Sequence, residues 1–239
     1  MLMSLNSYVY TQSLIQKAEE ETFKKIDSFL VMQKAAETCF NYIINNISAQ
    51  KILVVCGPGN NGGDGILIAK KLHYNKKNVK LYAPLGVGNS NDSKKALELL
   101  NSNSIAKNNI NFKNYDLIID CIFGVGLNRT INQEIQNIFQ NINNSNTKII
   151  SIDMPSGVYT DTGLVDSIAI KADITLTFHR LKPGHVLHPG KEYTGTIKLL
   201  DINLENLDNE SKIYLNTIPT IKKLKNIDHK YSRGTSYIV

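Results

Sequence analysis

A series of short apolar runs, separated by stretches of a different periodicity, restricts what this sequence can fold into. Lys51-Ile52-Leu53-Val54-Val55-Cys56 is a continuous β-branched run of the kind buried on both faces of a parallel sheet. Comparable runs follow at Val79–Ala83, Leu117–Cys121, Ile149–Ile152, Ile174–Phe178 and Thr196–Leu200. Helix-compatible segments lie between most of them, near Gly65–His73, Ser93–Leu100 and Gln133–Phe139. Ahead of the first run, Thr11 to Ile47 carries Ala18, Phe23, Ile26, Leu30, Ala35, Cys39 and Ile43 at helical spacing, with a break near Ser28. Strand, crossover helix and strand in repetition predict an α/β fold of three layers, α/β/α, with a mostly parallel central sheet and helices on both faces. Ligands of such sheets bind outside the carboxyl ends of the strands, so the residues just after each run are where chemistry is expected.

The length of 239 residues, 42% hydrophobic, supports one substantial core. No apolar run approaches the ~20 residues of a membrane span. Met1 to Tyr10 lacks a basic stretch followed by an apolar run, so no secretory signal is expected and the chain reads as cytoplasmic. The net charge of +6 is spread along a lysine- and asparagine-rich chain. Basic residues gather only near the end, at Lys222, Lys223, Lys225, Lys230 and Arg233, without interleaved aromatics, so no nucleic-acid partner is expected. Cys39, Cys56 and Cys121 share no metal spacing, sit among apolar neighbours and read as small core residues.

The first strand runs into Gly57-Pro58-Gly59-Asn60-Asn61-Gly62-Gly63-Asp64-Gly65. Glycines here let backbone amides approach an anion, and the helix that follows adds partial positive charge at its start. A tight strand-to-helix turn with Asp64 as N-cap would use the same residues. A nucleoside triphosphatase loop requires Lys and Ser or Thr after its last glycine, whereas Gly62 is followed by Gly63 and Asp64. A dehydrogenase requires a carboxylate at the end of the second strand, and Leu81-Tyr82-Ala83-Pro84 offers none.

Two later strands end in aspartate followed by a glycine-bearing loop: Asp120, before Gly124-Val125-Gly126-Leu127-Asn128-Arg129-Thr130, and Asp153, before Met154-Pro155-Ser156-Gly157. Both are expected to converge on the glycine segment. Gly124, Gly126 and Arg129 suit a second phosphate clamp. The oxygen donors of Asn61, Asp120 and Ser156 form a plausible hard-cation site and leave Asp153 for proton transfer. Lys182, beyond the fifth strand, is either a strand-end cation or a solvated loop lysine. His179, His185 and His188 lack an accompanying Cys or carboxylate in their loop and read as loop histidines rather than zinc ligands.

The combination of Asn60-Asn61-Gly62-Gly63-Asp64, Asp120 to Thr130, Asp153-Met154-Pro155-Ser156-Gly157 and Thr177-Phe178 with Lys182 resembles the NAD(P)H-hydrate epimerase family, also called the YjeF N-terminal domain. The resemblance covers about residues 10 to 203. It includes Leu30 to Ala36, where Gln33-Lys34-Ala35-Ala36 replaces the acidic-basic-alanine-glycine run usual in the family. It implies a Rossmann-like three-layer fold and interconversion of the R and S forms of hydrated NADH and NADPH, a metabolite-repair reaction. It places substrate contacts on Asn60, Asn61, Gly62, Gly63 and Asp64, on Gly124, Val125, Gly126, Leu127, Asn128, Arg129 and Thr130, and on Asp153. A potassium ion would be held by Asn61, Asp120 and Ser156.

Epimerisation at such a carbon removes and restores one hydroxyl through a planar intermediate, without redox change. Asp153 is expected to protonate the departing hydroxyl and later activate water, with Lys182 as a second proton-handling or charge-stabilising group. The family also implies a homodimer and a functional link to an ADP- or ATP-dependent dehydratase. Asp228-His229-Lys230-Tyr231-Ser232-Arg233-Gly234 resembles the opening of that second domain. The expected organisation is therefore an epimerase domain over 1–215 and, over 216–239, a linker and the start of a truncated dehydratase, with weakly held structure from about Leu204. The competing readings are a dinucleotide-dependent oxidoreductase and a non-enzymatic partner-binding protein on the same fold.

Overall fold

In the computed structural model, which describes residues 8–100, 105–106 and 110–216, the apolar runs become strands. The chain builds β1 (Tyr8–Val9), α1 (Gln12–Phe23), α2 (Ser28–Asn46), β2 (Lys51–Cys56), α3 (Asn60–Tyr74), β3 (Asn78–Tyr82) and α4 (Asn91–Glu98). It continues through β4 (Ile105–Ala106), β5 (Leu117–Cys121), α5 (Gln133–Asn143), β6 (Lys148–Ile152), β7 (Ile174–Phe178), β8 (Thr196–Leu200) and β9 (Ile213–Tyr214). Strands β2 to β8 form a seven-stranded sheet in the order β4-β3-β2-β5-β6-β7-β8, every pair parallel. From β2 the chain first moves to β3 and β4, then returns to β5 on the other side. That reversal opens a crevice at the carboxyl ends of β2 and β5, where Cys56 stands opposite Cys121.

Side chains alternate across a strand, so one run feeds two cores. Ile52, Val54 and Cys56 of β2 pack with α2, α3 and α4 through Ala35, Cys39, Ile66 and Ala96. Leu53 and Val55 point the other way, toward Ile135, Ile138, Phe139 and Ile142 of α5. The three-layer α/β arrangement read from the sequence is therefore present. Its second face is thinner toward one edge: β6 joins β7 through an irregular loop, and β7 joins β8 through a loop with short 3-10 turns at Pro183–His185 and Gly190–Tyr193, with no α-helix in either connection.

The expected break near Ser28 separates α1 from α2, and the Asp27 side chain caps α2 by accepting from the Phe29 amide at 2.9 Å. The segment after Leu204 is expected to be weakly held; its described part, residues 205–216, is instead tied down. Asp208 pairs with Arg180 at 2.8 Å and accepts from the Tyr10 hydroxyl at 2.8 Å, while β9 pairs antiparallel with β1. The basic cluster from Lys222 to Arg233 and the segment from Asp228 to Gly234 lie outside the described residues. Among those described, no helix is long and apolar enough to cross a membrane.

Candidate functional site

A cleft of about 520 Å³ lies over the carboxyl ends of β2, β5 and β6. Its floor comes from the start of α3 (Gly59, Asn60, Asn61 and Asp64), the loop from Ile122 to Arg129, and Asp153. A wall comes from α1, which contributes Gln16, Glu19 and Phe23.

The glycine segment is the first part of α3 rather than a loop. Gly59 is the N-cap and has no side chain with which to cap, and Asp64 is the fifth residue of the helix, so Asp64 is not the cap. The first amides of a helix lack intrahelical partners, which leaves a donor-rich end facing the cleft. The glycines divide by role. Gly59 has open space where a Cβ would be, while a Cβ on Gly62 would overlap the Gly57 carbonyl and one on Gly63 would meet the Met32 side chain at 2.9 Å. Gly62 and Gly63, expected to touch substrate, are buried packing positions. Asn60, Asn61, Asp64 and Gly124 through Arg129 do line the cleft, and Thr130 is exposed beyond its rim.

Asp153 follows β6 with a φ of +67°, a left-handed conformation costly for a residue with a Cβ. That turn aims its carboxylate into the cleft. Oδ1 accepts from Lys182 Nζ at 2.7 Å and from the Thr177 hydroxyl at 3.3 Å, and Oδ2 accepts from the Val125 amide at 3.3 Å. Burial alone would raise this carboxyl, but the adjacent Lys182 charge and its hydrogen bond hold it below the usual value. Lys182 is not a solvated loop lysine. It is fully buried beneath Asp153, and its ammonium also donates to Thr177 Oγ1 at 2.8 Å and to the Phe178 carbonyl at 3.1 Å.

Asp120 lies one layer deeper and accepts four hydrogen bonds: from the Ile122 amide, the Ser151 hydroxyl, and the Ser156 amide and hydroxyl. Burial raises its carboxyl despite these donors. On α3, both side-chain polar atoms of Asn61 are buried without a hydrogen-bond partner. Gly124 closes over this amide, and a Cβ there would meet Asn61 Cγ and Asp153 Oδ2 at 3.3 Å. An orphaned amide oxygen, the Ser156 hydroxyl and the Asp120 carboxylate are donors of the kind a hard, oxygen-loving cation takes.

The chain matches the family described as YjeF-related protein N-terminus over residues 28–184. It belongs to that family. It is 35% identical to the NAD(P)H-hydrate epimerase of Limosilactobacillus fermentum, an alignment covering 74% of this chain and 86% of the relative. Against the epimerase of Oenococcus oeni the identity is 34%, covering 78% and 92%. Against the Bifunctional NAD(P)H-hydrate repair enzyme Nnr of Dictyoglomus turgidum it is 34%, covering 96% of this chain, which spans about half (48%) of that longer relative. The crystal structure of yeast ynu0 shares the fold with a TM-score of 0.68 at 18% identity, over 81% of this chain and 87% of the other.

Three features of this YjeF-family site escape a reading of strand ends. His185, expected to be a plain loop histidine, is fully buried. Its Nδ1 accepts from the Lys182 amide at 3.0 Å, which leaves Nε2–H to donate to the Asp153 carbonyl at 2.8 Å. Burial and the Lys182 charge lower its pKa to about 4, so the ring is neutral and braces both residues. Asp92, in the first turn of α4, also lines the cleft, a carboxylate outside every strand end. Glu19 was legible in principle, because it falls on the stripe of α1 marked by the buried Ile15, Ala18 and Thr22. Asp64 faces Asp153, Glu19 and Asp92, and burial together with these charges raises its carboxyl well above the usual range.

Proposed function

We propose that this YjeF-family domain interconverts the R and S forms of hydrated NADH and NADPH, an isomerase reaction of metabolite repair. One observation carries the reading: an ionised carboxylate, Asp153, held on a left-handed backbone by a buried lysine, faces the same cleft as the donor-rich start of α3. The names of the relatives agree with it.

The dinucleotide's pyrophosphate is bound by amides at the start of α3 and in the loop from Gly124 to Arg129, with Arg129 at the exposed rim as the charged donor. The reaction breaks the bond between the ring carbon and its hydroxyl as the ring nitrogen lone pair forms a C=N bond. Water then adds to the other face. Asp153, kept ionised by Lys182, suits the base half of this cycle: it takes the proton of the attacking water, a step typically worth about 10²–10⁴-fold. Lys182 holds that charge state, and His185 fixes the backbone of both.

Asn61, Asp120 and Ser156 would hold a potassium ion. When bound, it adds positive charge beneath the anionic substrate. A homodimer, a cytoplasmic setting and a partnership with an ADP- or ATP-dependent dehydratase complete the proposal.

The test supplies R-hydrate together with a separate S-specific dehydratase and follows loss of the R form. Consumption faster than the spontaneous rate is expected, without net hydride transfer when the chain acts alone. R-hydrate lost only at the spontaneous rate would leave a scaffold protein, and net oxidation or reduction of an added substrate would leave an oxidoreductase.

A further inference from the structure

Inversion at a ring carbon needs a proton donor on the face the hydroxyl leaves and a proton acceptor on the face the water enters. Asp153 rises from the floor of the cleft and can serve one face. Glu19 projects from the α1 wall of the same cleft. Among the described residues no hydrogen bond or ion pair holds its carboxyl. We propose that Glu19 is a second catalytic residue, the general acid that protonates the departing hydroxyl opposite Asp153. Its role rests on the epimerase reading.

The position of α1 is set independently of substrate. Thr11 caps it by accepting from the Leu14 amide, and Ile15 and Ala18 pack on Tyr10. Lys17 and Lys25 pair with Glu210 and Glu205 beyond the sheet. A half-buried carboxylate carried beside the buried Ile15, Ala18 and Thr22 of so well anchored a helix is costly unless it does something. The charged groups facing Glu19 are Asp153 from the end of β6, Lys182 from beyond β7, Asp64 from α3 and its neighbour Glu20. Burial first, then the Asp153 charge, push the Glu19 carboxyl up to about 7, with Lys182 offsetting part of the rise. At neutral pH Glu19 is therefore partly protonated while Asp153 is ionised. Two carboxyls driven apart by their surroundings divide acid and base between them.

The step balances. The carbon–oxygen bond breaks with its electron pair on oxygen, which takes the Glu19 proton and leaves as water. A second water attacks the opposite face and gives its proton to Asp153. One proton has moved from Glu19 to Asp153 and returns through solvent, and the reverse reaction exchanges the two roles.

Glu19→Gln keeps the shape and removes the proton. In the full chain, with R-to-S rates measured from pH 5 to 9, wild type is expected to slow above about pH 7. Glu19→Gln is expected to lose about 10²-fold in kcat or more with KM little changed, and to lose that alkaline limb. Glu19→Asp is expected to regain part of the rate and of the limb. A Glu19→Gln enzyme within about threefold of wild type overturns the proposal, as does one slowed with its alkaline limb unmoved; the latter result would assign the limb to Asp64. Thermal melts of both variants within a few degrees of wild type show that folding is not what was measured, and Glu19→Asp decides alone if Glu19→Gln melts early. A wild-type chain that converts neither hydrate overturns the epimerase reading and Glu19's role together, whereas an active wild type with an equally active Glu19→Gln overturns only the second.

Discussion

Lys182 Nζ and Asp153 Oδ1 stand 2.7 Å apart, with the lysine side chain 1% exposed and the aspartate 13%. The pair is almost wholly out of water, so its worth lies less in net stability than in what either partner would cost alone. Thr177 and the Phe178 carbonyl satisfy the remaining donors of the ammonium, and the Val125 amide takes the second carboxylate oxygen. The site is thus built to keep one charged acceptor at the floor of the cleft.

Lys182→Met should leave that acceptor buried and unpaired. Unfolding in urea is expected to show a loss of about 3–5 kcal/mol, and the Asp153 carboxyl should rise and stop serving as a base at neutral pH. The double variant Lys182→Met/Asp153→Asn carries no orphan charge and should recover much of the stability but none of the activity. Recovery of the epimerase rate in the double variant would mean that Asp153 is not the base.

The two kinds of glycine in the α3 segment should separate cleanly. Gly62→Ala places a methyl on the Gly57 carbonyl, backbone against backbone, and should cost about 1–3 kcal/mol or more. Gly59→Ala meets nothing and has an ordinary φ of −89°, so its cost in stability should be about 1 kcal/mol or less. Gly59 lines the cleft, and its added methyl is expected to raise KM while leaving kcat in place. Melting curves and a KM-against-kcat comparison check both halves.

Much of this was readable from the chain because parallel strands buried on both faces need unbroken apolar runs, and Asp120 and Asp153 stand where such runs end. What resisted reading depends on packing between distant segments. Gly62 and Gly63 look like ligand glycines in sequence, and only the closeness of Gly57 and Met32 shows them as packing positions. His185 sits among glycines and prolines and gives no local sign that it will lie under Asp153. Residues 205–214 carry no strong periodicity, and their order comes from Arg180, Tyr10 and β1, about 200 positions away in the case of the Tyr10–Asp208 bond. Glu19 was the exception, a carboxylate on a helix stripe otherwise buried.

The neutral His185 makes stability fall in acid. Its pKa is about 4 in the fold against an ordinary 6.5, so between those values the unfolded chain binds a proton that the native chain refuses. Stability is full above about pH 6.5 and declines by up to about 3 kcal/mol as pH falls toward 4. His179, lowered to about 4 by burial and by Arg180, adds in the same direction. The raised carboxyls of Glu19, Asp64 and Asp120 act the opposite way, so the informative quantity is a difference. His185→Gln should lower stability at pH 7 and flatten the slope between pH 4 and 6.5 by close to one proton. Urea unfolding across that range measures it, and an unchanged slope would place the titration elsewhere.

Asn61 provides a readout of the proposed cation that does not depend on turnover. Its amide oxygen and nitrogen are buried and unpaired among protein atoms, a state that ordinarily costs about 1–3 kcal/mol. In the proposed site, a potassium ion held by that oxygen together with Ser156 and Asp120 would remove part of this penalty and would bind only the folded chain. The melting temperature should therefore rise when choline is exchanged for potassium at constant ionic strength, following the logarithm of potassium concentration above the dissociation constant. Asn61→Leu fills the same space without a donor and should abolish the potassium effect while retaining, or even raising, stability in choline. A potassium-dependent rise of equal size in Asn61→Leu would place the ion at another site and leave Asn61 as a substrate contact alone.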